Sequence, residues 1–135
     1  MTQEEKQLLL KDLCARIPYG VIVELRGTYE DGEKYIRDAE FDGPMLSYLY
    51  YDETSIKPYL RPMSSMTDEE RDEFRTVGGV MSHNIQNDTW AISAFAPEAY
   101  DWLNEHHFDY RIDPSTGKTL IESGLAFEAP EGMYN

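Results

Sequence analysis

Two neighbouring segments of alternating polarity constrain the fold of this chain more than any other feature. Residues 20–26 place apolar side chains at every second position, and residues 34–41 repeat the alternation. A strand with one buried face has this period of two. Between the segments, Asp31-Gly32 supplies residues that tolerate the positive φ of a tight turn. The sequence therefore predicts a β-hairpin near the N-terminus.

Other strand signals lie further along the chain. Residues 45–51 are rich in aromatic side chains and are predicted to form a third strand. A short extended piece is expected over residues 54–57. Pro58 and Pro62 are expected to exclude regular structure after it, because proline cannot donate to a β-ladder. Residues 90–95 alternate once more and predict another strand.

Helix starts are marked by capping boxes, in which a Thr precedes a Glu by three positions. The first begins at Thr2 and predicts an amphipathic helix over residues 3–16. The second begins at Thr67 and predicts a helix over residues 68–75. A third helix is expected over residues 97–106, where a proline fits the first turn.

Shorter elements complete the predicted fold. Residues 113–117 are expected to form a loop, residues 120–123 a short helical turn and residues 125–128 a strand that closes a sheet. Residues 130–135 are expected to be a frayed tail. Together these elements predict a single α+β domain over residues 1–135. Its small antiparallel sheet is built on the N-terminal hairpin and packed with three to four short helices.

The net charge of the chain limits the classes of molecule that it is expected to bind. It holds 26 acidic residues against 12 basic ones, a net charge of −14. Residues 1–67 carry 12 acidic and 8 basic side chains (−4), whereas residues 68–135 carry 14 and 4 (−10). A surface this negative repels phosphate backbones and anionic lipid, and it attracts basic proteins. The charge therefore argues against direct binding to nucleic acid or membranes, and favours a basic protein partner.

Several function classes leave no trace in the sequence. No apolar run is long enough to span a bilayer, and no secretory signal is visible at the N-terminus, so a cytoplasmic location is expected. Cys14, the single cysteine, excludes an internal disulfide and is expected to be a buried, inert thiol. With no recognisable nucleophile, phosphate-binding loop or zinc cluster, the sequence favours binding over catalysis and implies no catalytic residue, metal or cofactor.

Three carboxylates of the third predicted helix form the first candidate binding group. Glu98, Asp101 and Glu105 are spaced i, i+3 and i+7, which places them on one helix face. They predict either a surface that binds a basic protein or a plain solvated stripe. The acidic residues of the second predicted helix have the same two interpretations.

The segment that follows this helix offers a second candidate. The side chains of the adjacent His106 and His107 would point about 100° apart on a helix, which suits one metal ion poorly. A metal would therefore need His107 with Asp109, and His83 as a distant third ligand. The plainer interpretation is that the histidines anchor the helix end. The segment would otherwise form a small-molecule pocket in which Arg111 binds a carboxylate or an anionic ligand. The candidate pocket residues are His107, Asp109, Tyr110 and Arg111.

Tyrosines form the third candidate. Tyr48 and Tyr50 belong to the predicted strand over residues 45–51, where one sheet face would pack inward and the other would remain available. Tyrosine anchors interfaces because it buries a large area at a low entropic cost. The two residues would then be the central contacts of a homo-oligomer. Alternatively, their rings fill an aromatic core with each hydroxyl at its edge.

Two longer motifs carry a resemblance. They are KPYLRPMSSMT over residues 57–67 and DWLNEHHFDYR over residues 101–111, supported by the opening helix and by residues 124–134. With them the chain resembles a family of small acidic uncharacterised proteins from gut anaerobes and their phages and mobile elements. It departs from the pattern at residues 112–118, which look like an insertion. The resemblance assigns no site residue and implies a bacterial or phage cytoplasm and an accessory role.

Three hypotheses follow from the sequence. The leading one is an interaction protein that engages a basic or nucleic-acid-binding protein, for instance by presenting carboxylates where DNA would present phosphates. The second is a small-molecule-binding protein or enzyme with a pocket near Arg111. The third is a homo-oligomeric structural accessory protein.

Overall fold

The computed structural model describes residues 1–86, 89–94 and 96–134, with the backbone alone for residues 83, 84 and 89–94. Helices and strands alternate along the chain and confirm the predicted α+β class. The α-helices are α1 (Gln3–Arg16), α2 (Asp68–Thr76) and α3 (Pro97–Glu105). The strands are β1 (Ile22–Thr28), β2 (Lys34–Glu40), β3 (Ser55–Pro62), β4 (Gly79–Asn84), β5 (Thr89–Ala94), β6 (Phe108–Asp109) and β7 (Phe127–Glu128).

The main sheet grows from the predicted hairpin. Strands β1 and β2 pair in antiparallel register from Ile22 opposite Glu40 to Thr28 opposite Lys34. Gly32 takes a φ of +89° in the connecting turn, a conformation that glycine adopts without strain. On its other side β1 pairs with β3, also antiparallel, whereas the short strands β6 and β7 pair with β3 in parallel. The sheet is therefore mixed rather than antiparallel throughout.

The expectation that Pro58 and Pro62 exclude regular structure is wrong. Pro58 lies within β3 opposite Val23, and Pro62 is the last residue of that strand. The ladder explains why Pro58 is tolerated. Phe41 donates its N–H to the Val21 carbonyl at 2.8 Å, so odd-numbered residues of β1 bond to β2 and not to β3. Position 58 therefore needs no N–H on its β1 side.

The predicted strand over residues 45–51 is also wrong, because Gly43–Leu49 is a 3₁₀ helix. Its start has a local cause. The Asp42 side chain accepts a hydrogen bond from the Met45 N–H at 3.3 Å, and Pro44 supplies the fixed φ that suits a first helical turn. These two residues outweigh the strand preference of the aromatic side chains that follow them.

The helix boundaries follow their caps. Thr2 with Glu5, and Thr67 with Glu70, form the predicted capping boxes, each with both reciprocal hydrogen bonds. The third helix begins with a proline in its first turn, as predicted, and ends at Glu105, one residue before the predicted end. Strands β4 and β5 form a separate antiparallel pair, so the strand predicted over residues 90–95 is confirmed for its described part, while residue 95 lies outside the described residues.

Two clusters of buried apolar side chains hold these elements together. One packs α1 against the main sheet, with Leu9, Leu13, Val23, Leu25 and Ile56 fully buried. The other joins α2, α3 and β6. Their remaining members include Leu60, Leu120, Phe74, Trp102, Leu103 and Phe108.

The prediction that Cys14 is buried is wrong, because the thiol is exposed. The buried side of α1 follows Leu9, Asp12, Leu13 and Arg16, and Cys14 lies about 100° further around the helix than Leu13. The apolar residues of α1 therefore cover more of its surface than the sheet buries.

The C-terminal segment is ordered by Tyr134, so the expected frayed tail is wrong up to that residue. The Tyr134 hydroxyl accepts from the Ile22 N–H at 2.9 Å and donates to the Tyr59 carbonyl at 2.7 Å. The register of β1 and β3 places Ile22 opposite Tyr59, so this hydroxyl bridges the ladder where the two strands separate. Among the described residues, no helix is both long and apolar enough to cross a membrane.

Candidate functional site

Helices α2 and α3 lie side by side and present carboxylates to solvent. The Phe74 and Trp102 rings pack with their centroids 5.3 Å apart, and the Trp102 indole N–H donates to Glu73 Oε1 at 3.0 Å. Glu73 Oε1 also lies 3.8 Å from Nε2 of His106. The two helices carry eight acidic residues against two arginines, which is −6 of the total charge of −14.

Three of the five carboxylates of α2 pair with arginines. Asp68 pairs with Arg71 and Asp72 pairs with Arg75, each at 3.0 Å and with i, i+3 spacing. Glu70 accepts hydrogen bonds from both terminal nitrogens of Arg61 at 2.7 Å. Those bonds are the largest cause that holds its pKa at about 2, far below its usual range.

The carboxylates of α3 have no such partners. Glu98, Asp101 and Glu105 are exposed, and none of them forms an ion pair with another described residue. We call these three residues the acidic face of α3. Burial, together with the charges of Asp101 and Glu105, raises the pKa of Tyr19 on the neighbouring 3₁₀ helix, Ile17–Tyr19. The uncompensated negative potential therefore extends to the adjacent element.

A buried charge network lies on the other side of α3. Asp12 and Arg16 are fully buried on α1, and Asp12 Oδ2 accepts from Arg16 Nε at 2.8 Å. Arg16 also donates to the Phe108 carbonyl at 2.7 Å, which ties α1 to β6. Arg111 joins them, with its Nε 3.2 Å from Asp12 Oδ1. Two guanidinium groups thus share one carboxylate.

The predicted small-molecule pocket is occupied by these internal contacts. Arg111 does meet a carboxylate, but the carboxylate belongs to Asp12 rather than to a ligand. The Tyr110 hydroxyl accepts from Arg111 Nη2 at 3.1 Å and donates to Asn104 Oδ1 at 3.0 Å. Asp109 Oδ1 accepts from the Leu120 N–H at 3.1 Å. Its Oδ2 accepts from the next N–H, also at 3.1 Å.

His107 has a structural position. It is buried, its ring stacks on Tyr134 with centroids 3.7 Å apart, and its backbone takes a φ of +63°. Burial is the largest cause that lowers the pKa of His107 to about 4, with a smaller contribution from the charge of Arg16. Among the described side chains, no three His, Cys, Asp or Glu residues gather as metal ligands. The side chain of His83 lies outside that set.

The two candidate tyrosines separate. Tyr48 is half-buried against the sheet-side core, and its hydroxyl forms a hydrogen bond with the Tyr35 hydroxyl. Tyr50 is 59% exposed. The structure therefore places Tyr48 at the edge of this core and leaves Tyr50 on the surface, so the two do not form one available strand face.

The structural roles of Asp12, Arg16 and Tyr134 were not predicted from the sequence. Asp12 and Arg16 had a usable signal, since they are spaced i, i+4 and alternate with Leu9 and Leu13 on the buried side of α1. Tyr134 had no local signal, because its partners lie 112 and 75 positions earlier in the chain. In comparisons with known proteins, no family model, no curated protein and no solved structure matches the chain.

Proposed function

We propose that this protein is an interaction module whose acidic face of α3 binds a basic partner protein. The observation that carries the proposal is the contrast between the two packed helices. Arginines pair with Asp68, Glu70 and Asp72 on α2, whereas the three carboxylates on α3 remain exposed without a cation. Uncompensated like charges oppose folding, so a role in recognition gives them a purpose that stability does not.

A nucleic-acid-binding protein is the partner class that fits best. Such proteins carry basic grooves that neutralise a row of phosphates, and a row of fixed carboxylates meets the same groups. A bacterial or phage cytoplasm with an accessory role, which the family resemblance implies, remains part of this proposal. The pocket hypothesis has less support, because Asp109, Tyr110 and Arg111 bond to residues of the chain itself.

Affinity capture with a charge-matched control tests the proposal. The immobilised full chain is incubated with a lysate of the bacterium that carries the gene, and bound proteins are quantified by mass spectrometry. We expect basic proteins to bind the wild type. Replacing the acidic face (Glu98→Gln, Asp101→Asn, Glu105→Gln) should reduce their recovery by about tenfold or more, since each charge contributes to both encounter and affinity.

The control removes three charges elsewhere. Glu30→Gln, Glu53→Gln and Glu128→Gln change exposed residues on the hairpin, on the loop before β3 and on β7. Both triple variants carry the same net charge, so non-specific attraction falls equally in the two. Equal recovery from the two variants would show that net charge alone acts, and the site assignment would be rejected.

A further inference from the structure

Strand β2 is an open edge of the main sheet. It pairs with β1 on one side, and no other described strand pairs with it. All seven residues of Lys34–Glu40 are in regular register with β1, without a proline or a bulge. Natural edges are usually shortened, bulged or covered, because unpaired N–H and C=O groups recruit further strands. Ile36, in the middle of this edge, is 62% exposed.

The hydrogen bonds of the hairpin identify which backbone groups of β2 are free. Phe41 N–H bonds to the Val21 carbonyl at 2.8 Å, and the Glu33 carbonyl accepts from Tyr29 N–H at 2.7 Å. Odd-numbered residues on this side of the hairpin therefore bond to β1, and even-numbered residues direct their N–H and C=O groups outward. The residues with outward backbone groups are Lys34, Ile36, Asp38 and Glu40.

We propose that β2 pairs with β2 of a second copy of this chain, antiparallel about a twofold axis at Ile36. In this register Ile36 lies opposite its own copy, and Lys34 lies opposite Asp38 on both sides of the axis. Tyr35 then lies opposite Arg37, a pair of cation and aromatic ring. All outward N–H groups from position 34 to position 38 acquire acceptors, and opposite charges meet at directly facing positions.

The adjacent registers are less favourable. A twofold pairing that keeps each side chain on its own sheet face can also be centred on residue 34, 35, 37 or 38. The registers at 34, 37 and 38 place Lys34, Arg37 or Asp38 opposite its own copy, although the register at 37 also brings Lys34 opposite Glu40. The register at 35 places Lys34 opposite Ile36 and pairs no opposite charges within β2. Like charges at facing positions destabilise a strand pair. Among these registers, only the one centred on Ile36 combines pairs of opposite charges with no facing like charges, so the order of charges along β2 favours it.

The net charge of the chain does not prevent this contact. Strand β2 is neutral, because Lys34 and Arg37 balance Asp38 and Glu40, and the uncompensated acidic face lies on α3. A single edge-to-edge strand pair buries little surface, which places the dimer among weak, concentration-dependent interfaces. The contact does not involve Tyr48 or Tyr50, and it is independent of the proposed binding of a basic protein.

Sedimentation equilibrium and amide hydrogen exchange on the full chain test the proposal directly. We expect a monomer–dimer equilibrium below about 1 mM, a concentration that corresponds to only about 4 kcal/mol of binding free energy. The amides of Ile36 and Asp38 should exchange fast in dilute protein and at least about tenfold more slowly as the dimer forms. The amide of Arg37, already bonded to β1, should change little. A monomer throughout this range would overturn the proposal, as would protection without the alternation.

A charge exchange tests the register. Lys34→Glu and Asp38→Lys should each weaken self-association by about tenfold or more, because each places like charges opposite one another twice. An equimolar mixture of the two variants restores both opposite-charge pairs and should form a heterodimer. Lys118→Glu makes the same change of charge at an exposed site away from β2 and should leave association unchanged.

The charge exchange also distinguishes misfolding from loss of contact. Asp38 accepts a hydrogen bond from the Tyr59 hydroxyl at 2.9 Å, so each variant is first checked by thermal unfolding. A variant that does not fold cannot form the heterodimer in the mixture. In that case the amide hydrogen exchange of the unmodified chain tests the proposal. Two folded variants that fail to form a heterodimer would overturn the register centred on Ile36.

Discussion

Glu70 combines two tasks in one side chain. It completes the capping box of α2 by accepting from the Thr67 N–H at 3.0 Å, and it receives both terminal nitrogens of Arg61. Bidentate bonds from arginine favour the ionised carboxylate, which accounts for its pKa of about 2. Arg61 in turn lies over the Phe108 ring, 4.2 Å from its centroid, so the pair links β3, α2 and β6.

We predict that Glu70→Gln destabilises the protein by about 1–2 kcal/mol at pH 7. The folded pKa lies below the ordinary value of 4.5, so the stabilisation is fully present above pH 4.5 and is lost as the pH falls toward 2. The difference between wild type and variant, measured by urea unfolding, should therefore shrink over that interval. Glu69→Gln, in the same helical turn, serves as the control and should change stability little. A difference that stays constant with pH would contradict the assigned pKa.

The contribution of His107 to stability is also lost as the pH falls, but over a higher pH range than that of Glu70. Its pKa of about 4 lies below the ordinary value of 6.5, because burial disfavours the imidazolium. The unfolded chain takes up the proton first, so stability from this group is present above pH 6.5 and is lost as the pH falls toward 4. We predict a loss of about 1–2 kcal/mol between pH 7 and pH 5 from this residue alone.

The variant His107→Asn tests this prediction, since asparagine tolerates the positive φ at this position. It should remove that part of the pH dependence from urea unfolding curves, whereas His106→Asn should retain it. An NMR titration of the imidazole gives an independent reading. A midpoint near pH 6.5 for His107 would mean that its ring is hydrated in solution.

At the scale of elements, local signals predicted what local interactions decide. The two capping boxes and the alternation of β1 and β2 involve residues within a few positions of one another, and these elements were correctly predicted. The strand predicted at residues 45–51 was wrong because the capping side chain of Asp42 outweighed the strand preference of the aromatic residues that follow it. The extended piece at residues 54–57 was predicted, but its continuation as β3 through Pro62 was missed. Whether Pro58 is tolerated depends on which residues of β1 bond to β2, and that pairing is not visible within the segment.

The residues of the candidate site were likewise predicted where local spacing decides their position, and missed where distant residues decide it. The helical spacing of Glu98, Asp101 and Glu105 was sufficient to place them on one exposed face. Arg111 was correctly expected to meet a carboxylate, but the partner lies 99 positions earlier on α1. Spacing within α3 could not show which charges would be compensated, because cations from distant elements decide it.

The buried ion pairs of Asp12 on helix α1 can be tested by substitution. Its fully buried Asp12 faces two guanidinium groups, so Asp12→Ala would leave both without their carboxylate. We predict a loss of about 3–5 kcal/mol in unfolding free energy, as for other buried pairs broken on one side. The double variant Asp12→Leu, Arg16→Leu should lose clearly less than the sum of the losses of Asp12→Leu and Arg16→Leu, because it removes one of the two guanidinium groups that the loss of Asp12 leaves uncompensated. Additive losses in this double-mutant cycle would show that the residues do not interact.

At the scale of the whole molecule, charge is compensated in some regions and left uncompensated in others. Arg61, Arg71 and Arg75 all pair with carboxylates of α2, while the acidic face of α3 stays uncompensated. Strand β2 is neutral, because Lys34 and Arg37 balance Asp38 and Glu40. The two proposals therefore use separate surfaces, the acidic face of α3 for a basic partner and β2 for a second copy of the chain.

This arrangement predicts that part of the acidic face opposes folding. Asp101 and Glu105 are like charges with i, i+4 spacing, and Glu105 lies at the C-terminal end of α3, where the helix dipole disfavours a carboxylate. The double variant Asp101→Asn, Glu105→Gln should therefore be more stable than the wild type by about 0.5 kcal/mol at low ionic strength. Salt screens exposed charges, so the gain should diminish near physiological ionic strength.

Glu98→Gln, in the favourable first turn, should lose stability instead. Urea unfolding at low and high salt measures the stability of the wild type, of the double variant and of Glu98→Gln. The double variant should also capture fewer basic proteins than the wild type. If it lost both stability and binding, the carboxylates would be structural groups, and recognition would have to be sought on another surface.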